Sequence, residues 1–298
     1  MDIPTMSPAA RTERSEGPVL VTGANSGFGL AATLRFARRG WDTWGTVRSA
    51  AKAKELTAAA EEAGVADRVH ALVLDVSDHD AVVAAWPDLP GFHAVVNNAG
   101  YSELGAVEEV GAAEAKAQLD VNLIAPAVVS ACALPAMRER GSGRIVMVSS
   151  LAGRLAIMPL NGWYQASKFG LEALSDVLRM EVAGFGVKVA IVEPGFFKTN
   201  IDAGASAAVT ARNVDGSPYQ AAYERVGEGM AMMRYAPPPD IVAQTIVAAV
   251  ESRFPQRRYL VGLDAVAAAM GNALVPRAYL DAATRLVSGL GGPPDSFV

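Results

Sequence analysis

Residues 18–30 read Pro18-Val19-Leu20-Val21-Thr22-Gly23-Ala24-Asn25-Ser26-Gly27-Phe28-Gly29-Leu30. A short apolar run, rich in Val, ends in glycine-spaced residues. Residues 27–39 then show helical periodicity that stops at Gly40. A strand entering a helix through glycines lets backbone N–H groups approach a pyrophosphate, and the helix dipole favours negative charge at the same place. The spacing is G-x-x-x-G-x-G rather than G-x-G-x-x-G. Alone, such a turn also suits plain helix–strand packing; its place after the first strand favours the phosphate reading.

Outward from this turn the chain alternates. Strands are expected at Trp41–Val47, Val69–Leu74, His93–Val96, Arg144–Val148, Val187–Val192 and Tyr259–Val261, and helices at 50–63, 78–85, 112–139, 162–183 and 238–251. Ser77 is a candidate N-cap for the helix at 78–85. Strand–helix alternation implies an α/β fold, a doubly wound parallel sheet with helices on both faces. The nearly continuous apolar runs at 144–149 and 187–192 suit strands buried on both faces.

The chain has 298 residues, which at ~150 residues per domain suggests about two domains. No shift in composition marks a boundary. One domain over 18–263 is expected, with a tail at 1–17, an insertion near 198–236 and an extension at 264–298. Apolar residues make up 51% and charged residues 19%, which excludes disorder for the bulk of the chain. The net charge of −5 argues against a nucleic-acid or anionic-membrane binder. Cys132 is the single cysteine, so no internal disulfide forms; it reads as a small packed hydrophobe. Mean hydropathy is +0.22, yet Pro, Gly and charges interrupt every stretch approaching the ~20 residues of a membrane span, and none is expected. Residues 1–17 lack the apolar core of a signal peptide, so the reading is a flexible tail on a cytoplasmic protein.

Three further places carry chemistry. Tyr164-Gln165-Ala166-Ser167-Lys168 lies in a helical stretch, so Tyr164 and Lys168 share a face. A free phenol titrates at ~10, and a nearby ammonium favours its ionised form. Ser149 and Ser150 follow the fifth strand, on the carboxyl edge where open α/β sheets bind ligands. The second strand ends Val47-Arg48; a basic residue there accommodates a 2′-phosphate, so NADP(H) is favoured over NAD(H).

Together these pieces resemble the classical short-chain dehydrogenase/reductase family. The matches are Thr22 to Gly29, Leu74-Asp75-Val76, Asn97-Asn98-Ala99-Gly100, Asn122, Ser149/Ser150, Tyr164 with Lys168, and Pro194-Gly195. They come in family order across about 18–263. The resemblance implies a single Rossmann-type domain and direct hydride transfer between a nicotinamide and a carbonyl or alcohol carbon. By resemblance Gly23, Ser26, Gly27, Phe28 and Gly29 hold the diphosphate, and Asp75 and Val76 line the adenine. Asn98, Ala99 and Gly100 support the cofactor. Lys168 binds the nicotinamide ribose, and Pro194, Gly195 and Thr199 face the nicotinamide. Tyr164 is the acid/base, Ser150 binds the carbonyl oxygen, and Asn122 holds a water in a proton relay with Lys168. No metal is implied; His70, His79 and His93 have no ligand spacing. One departure stands out. The family often places its serine thirteen residues before the tyrosine, and here that position is Leu151. Ser150, followed by x-Ala-Gly, is favoured, and Ser149 is the alternative; an extra residue is expected in 154–159.

Met158, Leu160, Trp163, Phe196, Phe197 and the cluster Met230, Met232 and Met233 suit an apolar pocket for a lipophilic substrate, or ordinary packing. By resemblance 198–236 is a lid, and the Ala- and Val-rich helices at 112–139 and 162–183 pair subunits into a homodimer or homotetramer. The apolar 264–290 segment covers the pocket mouth, extends an interface or meets a membrane, in that order of preference. The competing functions are a non-catalytic NADP(H)-sensing protein, which tends to lose the tyrosine or lysine, and a sugar-nucleotide epimerase or dehydratase, whose phosphate loop is spaced differently.

Overall fold

The computed structural model describes residues 17–198, 208–212, 216–232 and 235–290. Seven strands form one parallel sheet: β1 Val19–Val21, β2 Thr43–Val47, β3 Val69–Val73, β4 Ala94–Asn97, β5 Gly143–Val148, β6 Val187–Pro194 and β7 Arg258–Val261. Their order is β3-β2-β1-β4-β5-β6-β7. β1 pairs with both β2 and β4, with Val19 opposite Thr43 and Ala94. The winding reverses between β1 and β4, which opens the crevice in which such sheets take ligands.

The pleat sends alternate side chains to opposite faces. Val19, Val21, Val96, Val146 and Val192 pack on one side with Ala32 and Phe36 of α1 (Gly27–Arg38), Leu56 of α2 (Ala50–Glu62) and Ile246 and Val250 of α8 (Asp240–Glu251). Leu20, Val95, Ile145, Met147 and Val189 pack on the other with Val82 of α3 (His79–Ala85), Val129 and Met137 of α5 (Ala125–Arg140) and Leu171 of α6 (Gly162–Val182). Both faces are therefore dry, as the unbroken apolar runs of β5 and β6 require.

Several boundaries differ from the sequence reading. β2 begins at Thr43 because the Trp41 amide turns back to the Phe36 carbonyl (3.1 Å) and closes α1. The helical region at 112–139 is three pieces: α4 (Ala112–Leu119), a π-helical turn (Asp120–Ile124) and α5. This 29-residue helix is long and apolar enough to cross a membrane by length and composition, which the sequence reading had ruled out on its interruptions. In the fold, Ala125, Val129, Ala133 and Met137 of α5 are buried against the sheet. The segment after β7, read only as an apolar tail, forms α9 (Leu263–Leu274) and α10 (Arg277–Val287).

The insertion contributes α7 (Gln220–Met232). Tyr223, fully buried, accepts from the Ala106 amide (3.0 Å) and donates to Glu109. Arg212 pairs with Glu103 (2.7 Å) and Glu114 (2.8 Å). Both contacts tie the insertion to the loop that follows β4.

Candidate active site

The turn between β1 and α1 is built around close backbone approach. Gly23 has φ +66°, and a Cβ there would stand 3.0 Å from Ala99 Cα. A Cβ at Gly29 would collide with the Gly23 carbonyl and with Asn98 Nδ2. Ser26 occupies the N-cap of α1 but makes no capping hydrogen bond, and the first turn carries no acid. The first amides of α1 are thus left uncapped by the protein's own side chains. An exposed anion-attracting helix terminus in a glycine cradle fits a dinucleotide diphosphate.

Thr22, quoted in the motif but given no role from the sequence, holds this turn. Its Oγ1 accepts from the amides of Asn98 and Ala99, both at 2.9 Å. Asn98 Nδ2 returns a hydrogen bond to the Thr22 carbonyl (2.9 Å). Phe28 packs edge-on against Phe197, with ring centres 5.9 Å apart. Phe197 is only 4% exposed and belongs to the core, so packing rather than pocket lining accounts for it.

Tyr164 and Lys168 lie one turn apart on α6, with Lys168 Nζ 5.7 Å from the Tyr164 ring centre. Lys168 is buried, and Nζ donates to the Val148 carbonyl (3.0 Å) at the end of β5. Burial lowers its pKa from the ordinary 10.5 to about 8, against the opposing field of Glu172. The two serines separate by environment. Ser149 is buried, near Glu172 across Gly153. Ser150 is half-buried, and its Oγ accepts from the Ala152 amide (3.1 Å), leaving the hydroxyl proton to donate elsewhere. The chain enters α6 through Leu160, whose φ of 61° is left-handed and whose carbonyl accepts from Gly105 (2.7 Å).

Asn122 sits in the π-helical turn with its amide fully engaged. Oδ1 accepts from the Tyr101 amide (3.1 Å), while Nδ2 donates to the Tyr101 carbonyl (2.9 Å) and Ser167 Oγ (3.1 Å). Gln118, one turn earlier, donates to the same carbonyl (3.1 Å). The side chain is thus committed to the loop after β4. Its backbone carbonyl stands four residues before Pro126, which has no N–H to offer it.

The remaining sites are more dispersed. Arg48 is exposed at the end of β2. Asp75 accepts from the amide (3.0 Å) and hydroxyl (2.7 Å) of Ser77, so Ser77 serves Asp75 while Asp78 caps α3 through the Ala81 amide (3.0 Å). Val76 is 7% exposed and packs in the core. Pro194 ends β6, and the Gly195 amide donates to Val261 (2.8 Å). A Cβ at Gly195 would collide with the Asp264 carboxylate, which accepts from the Phe196 amide (2.6 Å). The extension thereby holds the segment after β6, and Ala265 packs with Leu151 and Leu155 beside the serines. Thr199 and Met233 lie outside the described residues, as does the side chain of Met232. A cavity of about 370 Å³ is lined by Ala106, Val107, Glu108, Leu160, Tyr219 and Leu290.

Comparison with known proteins agrees with this arrangement. Residues 18–210 match the short chain dehydrogenase family model. Retinol dehydrogenase 16 of Rattus norvegicus is 34% identical over 265 residues, covering 83% of this chain and 81% of that protein. The crystal structure of a short-chain dehydrogenase from Streptomyces avermitilis superposes with a TM-score of 0.73 at 32% identity, over 94% of this chain and all of that one. A metagenomic short-chain oxidoreductase solved in complex with NADP gives a TM-score of 0.65 at 25% identity, over 84% and 98%. A glycine cradle at the sheet's switch point, a Tyr–Lys pair on the next face and a family match across both have one meaning: the chain belongs to the short-chain dehydrogenase/reductase family and is an NAD(P)-dependent oxidoreductase acting on CH–OH groups.

Proposed function

We propose that this enzyme interconverts a lipophilic ketone or aldehyde and its alcohol, with NADP(H) preferred and Tyr164 as the acid/base. The observation that carries the reading is a buried ammonium, Lys168, beside the Tyr164 ring at the carboxyl edge of the sheet. Gly23, Ser26, Gly27 and Gly29 would hold the diphosphate at the open end of α1, and Arg48 would meet the 2′-phosphate; hydride donation or acceptance is the chemistry that a nicotinamide nucleotide would supply there.

In the reducing direction Tyr164 Oη gives its proton to the carbonyl oxygen. The Lys168 ammonium stabilises the phenolate left behind. Ser150 Oγ donates to the same oxygen as charge develops on it, an interaction strongest in the transition state. The Asn122 side chain keeps the loop after β4 in place, and its backbone carbonyl is the atom left to hold a water near Lys168.

The substrate class rests on an open groove, lined by Ala106, Val107, Leu160 and Leu290 together with Glu108 and Tyr219, which Leu160 joins to the chain four residues before Tyr164. The similarity to a retinol dehydrogenase, which by its name acts on a long apolar alcohol, points the same way. The test is nicotinamide absorbance over a panel of carbonyl and alcohol substrates, wild type against Tyr164→Phe. The expected loss in kcat is about 100-fold or more. Equal turnover by the two proteins overturns the role of Tyr164.

A further inference from the structure

Behind the Tyr164–Lys168 pair lies a cluster of buried charges that the reaction above does not use. Glu172 follows Lys168 by one turn on the same face of α6 and is buried. Glu193 on β6 is wholly buried. Arg258 of β7 donates to Glu172 (3.1 Å), pairs with Glu193 (3.1 Å) and donates to Asp176 (2.6 Å). Arg154, after the serine turn, covers Glu193 from the other side (3.1 Å). Gly153 closes the serine turn over this cluster: a Cβ there would stand 2.7 Å from Ser149 Oγ and 3.0 Å from Glu172 Cγ. Two buried carboxylates on one guanidinium nitrogen are costly, since burial and mutual repulsion disfavour both charges. Plain stability is better served by apolar residues in such a place.

We propose that Glu172 is a positioning residue for the reaction, its carboxylate holding Lys168 in the ammonium form beside Tyr164 while Arg258 keeps that carboxylate in place. This rests on the oxidoreductase reading given above. Burial drives the Lys168 ammonium towards losing its proton, and the Glu172 field opposes this. Burial likewise pushes the Glu172 carboxyl up; the Ser149 hydroxyl and Arg258 draw it down, and Glu193 pushes it up. The groups facing Glu172 are therefore Lys168 and Asp176 from its own helix, Ser149 from the end of β5, Glu193 from β6 and Arg258 from β7, with Arg154 behind Glu193. Asp120 of the π-helical turn is engaged by Lys116 instead (2.5 Å). With Glu172 neutral, burial acts unopposed on the Lys168 proton.

The chain has six lysines, so Lys168 can be followed directly. Protein enriched with ¹³C-lysine is titrated, and the Lys168 Cε resonance is assigned by its loss in Lys168→Arg. In Glu172→Gln the Lys168 midpoint falls by about one unit; in Glu172→Asp, which keeps the charge, it stays nearer the wild type. An unchanged midpoint in a folded Glu172→Gln overturns the proposal. Should that variant not fold, the wild type decides: a Lys168 midpoint below about 6, typical of a buried lysine with no anionic partner, overturns it equally. In turnover, the limb of the kcat/KM profile set by the Lys168 proton moves to lower pH by the same amount. A wild type without turnover on any carbonyl, but with the NMR shift intact, overturns the reading of the reaction and leaves the hold of Glu172 on Lys168 standing.

Discussion

Arg48 is the residue on which the proposed NADP(H) preference rests. Its neighbour Ser49 is occupied, accepting the Lys52 amide (3.3 Å) as N-cap of α2. Arg48 itself is exposed, with no ion pair among the described residues, so its guanidinium is available to a phosphate. A charge-assisted hydrogen bond contributes about 1.5–3 kcal/mol. Arg48→Ala therefore weakens NADPH binding by about 10- to 100-fold and leaves NADH nearly unchanged, as titration calorimetry with each nucleotide will read. Tighter NADH than NADPH binding by the wild type contradicts the preference. The two serines show how far single residues can be read from sequence. Pattern alone favours Ser150, and Ser149 remains open until its environment is seen. What differs between them in the fold is burial: Ser149 is enclosed near Glu172, remote in the chain, and Ser150 is half-buried.

At the scale of elements, the π-helical turn carries most of what periodicity misses. A π-turn inserts one residue into a helix whose apolar pattern otherwise continues, so 112–139 reads as one helix. The visible sign was Pro126, four residues after Asn122, where a proline cannot serve the preceding carbonyl. The turn presents Asn122 to both backbone groups of Tyr101. Asn122, itself 0% exposed, is the partner of the Tyr101 amide; Asn122→Ala orphans that amide, while Gln118 still serves the Tyr101 carbonyl and Ser167 keeps its bond to the Tyr164 carbonyl. The expected cost is about 1–3 kcal/mol, measured by denaturant unfolding, together with faster hydrogen exchange at the Tyr101 amide. Unchanged exchange there would show that the loop after β4 is held by other contacts. The helix α9 was illegible for another reason. Its packing depends on partners remote in the chain, Phe196 for Asp264 and Leu151 and Leu155 for Ala265, and no local pattern encodes such contacts.

Over the whole molecule, the sheet, its winding and the glycine turn were readable because each rests on local periodicity or a short motif. The array of buried Glu172 and Glu193 with the partly exposed Arg258 was not, since it exists only through the register that sets Glu193 opposite Leu260 and Arg258 opposite Ile191. That array and Lys168 together make the active site a costly part of the fold. Lys168 titrates in the folded protein at about 8 rather than the ordinary 10.5. Between those values the unfolded chain binds more protons than the folded one, so stability rises with pH across that window and the penalty is fully present below it. At about 1.36 kcal/mol per unit the penalty is about 3 kcal/mol. Lys168→Met removes it, and loses the hydrogen bond to Val148, at about 1 kcal/mol. The variant is thus expected to be about 2 kcal/mol more stable at pH 7, with Tm higher by about 4–8 °C, and catalytically dead. Its advantage shrinks as pH climbs from 8 to 10.5, because the folded wild-type lysine is already neutral there and the unfolded chain's hold on the proton weakens until both states are neutral above 10.5. Calorimetry at pH 7 and pH 10 measures both effects. A variant no more stable than wild type at pH 7 would mean that the buried lysine keeps its ordinary proton affinity, since the lowered value is already net of the Glu172 field.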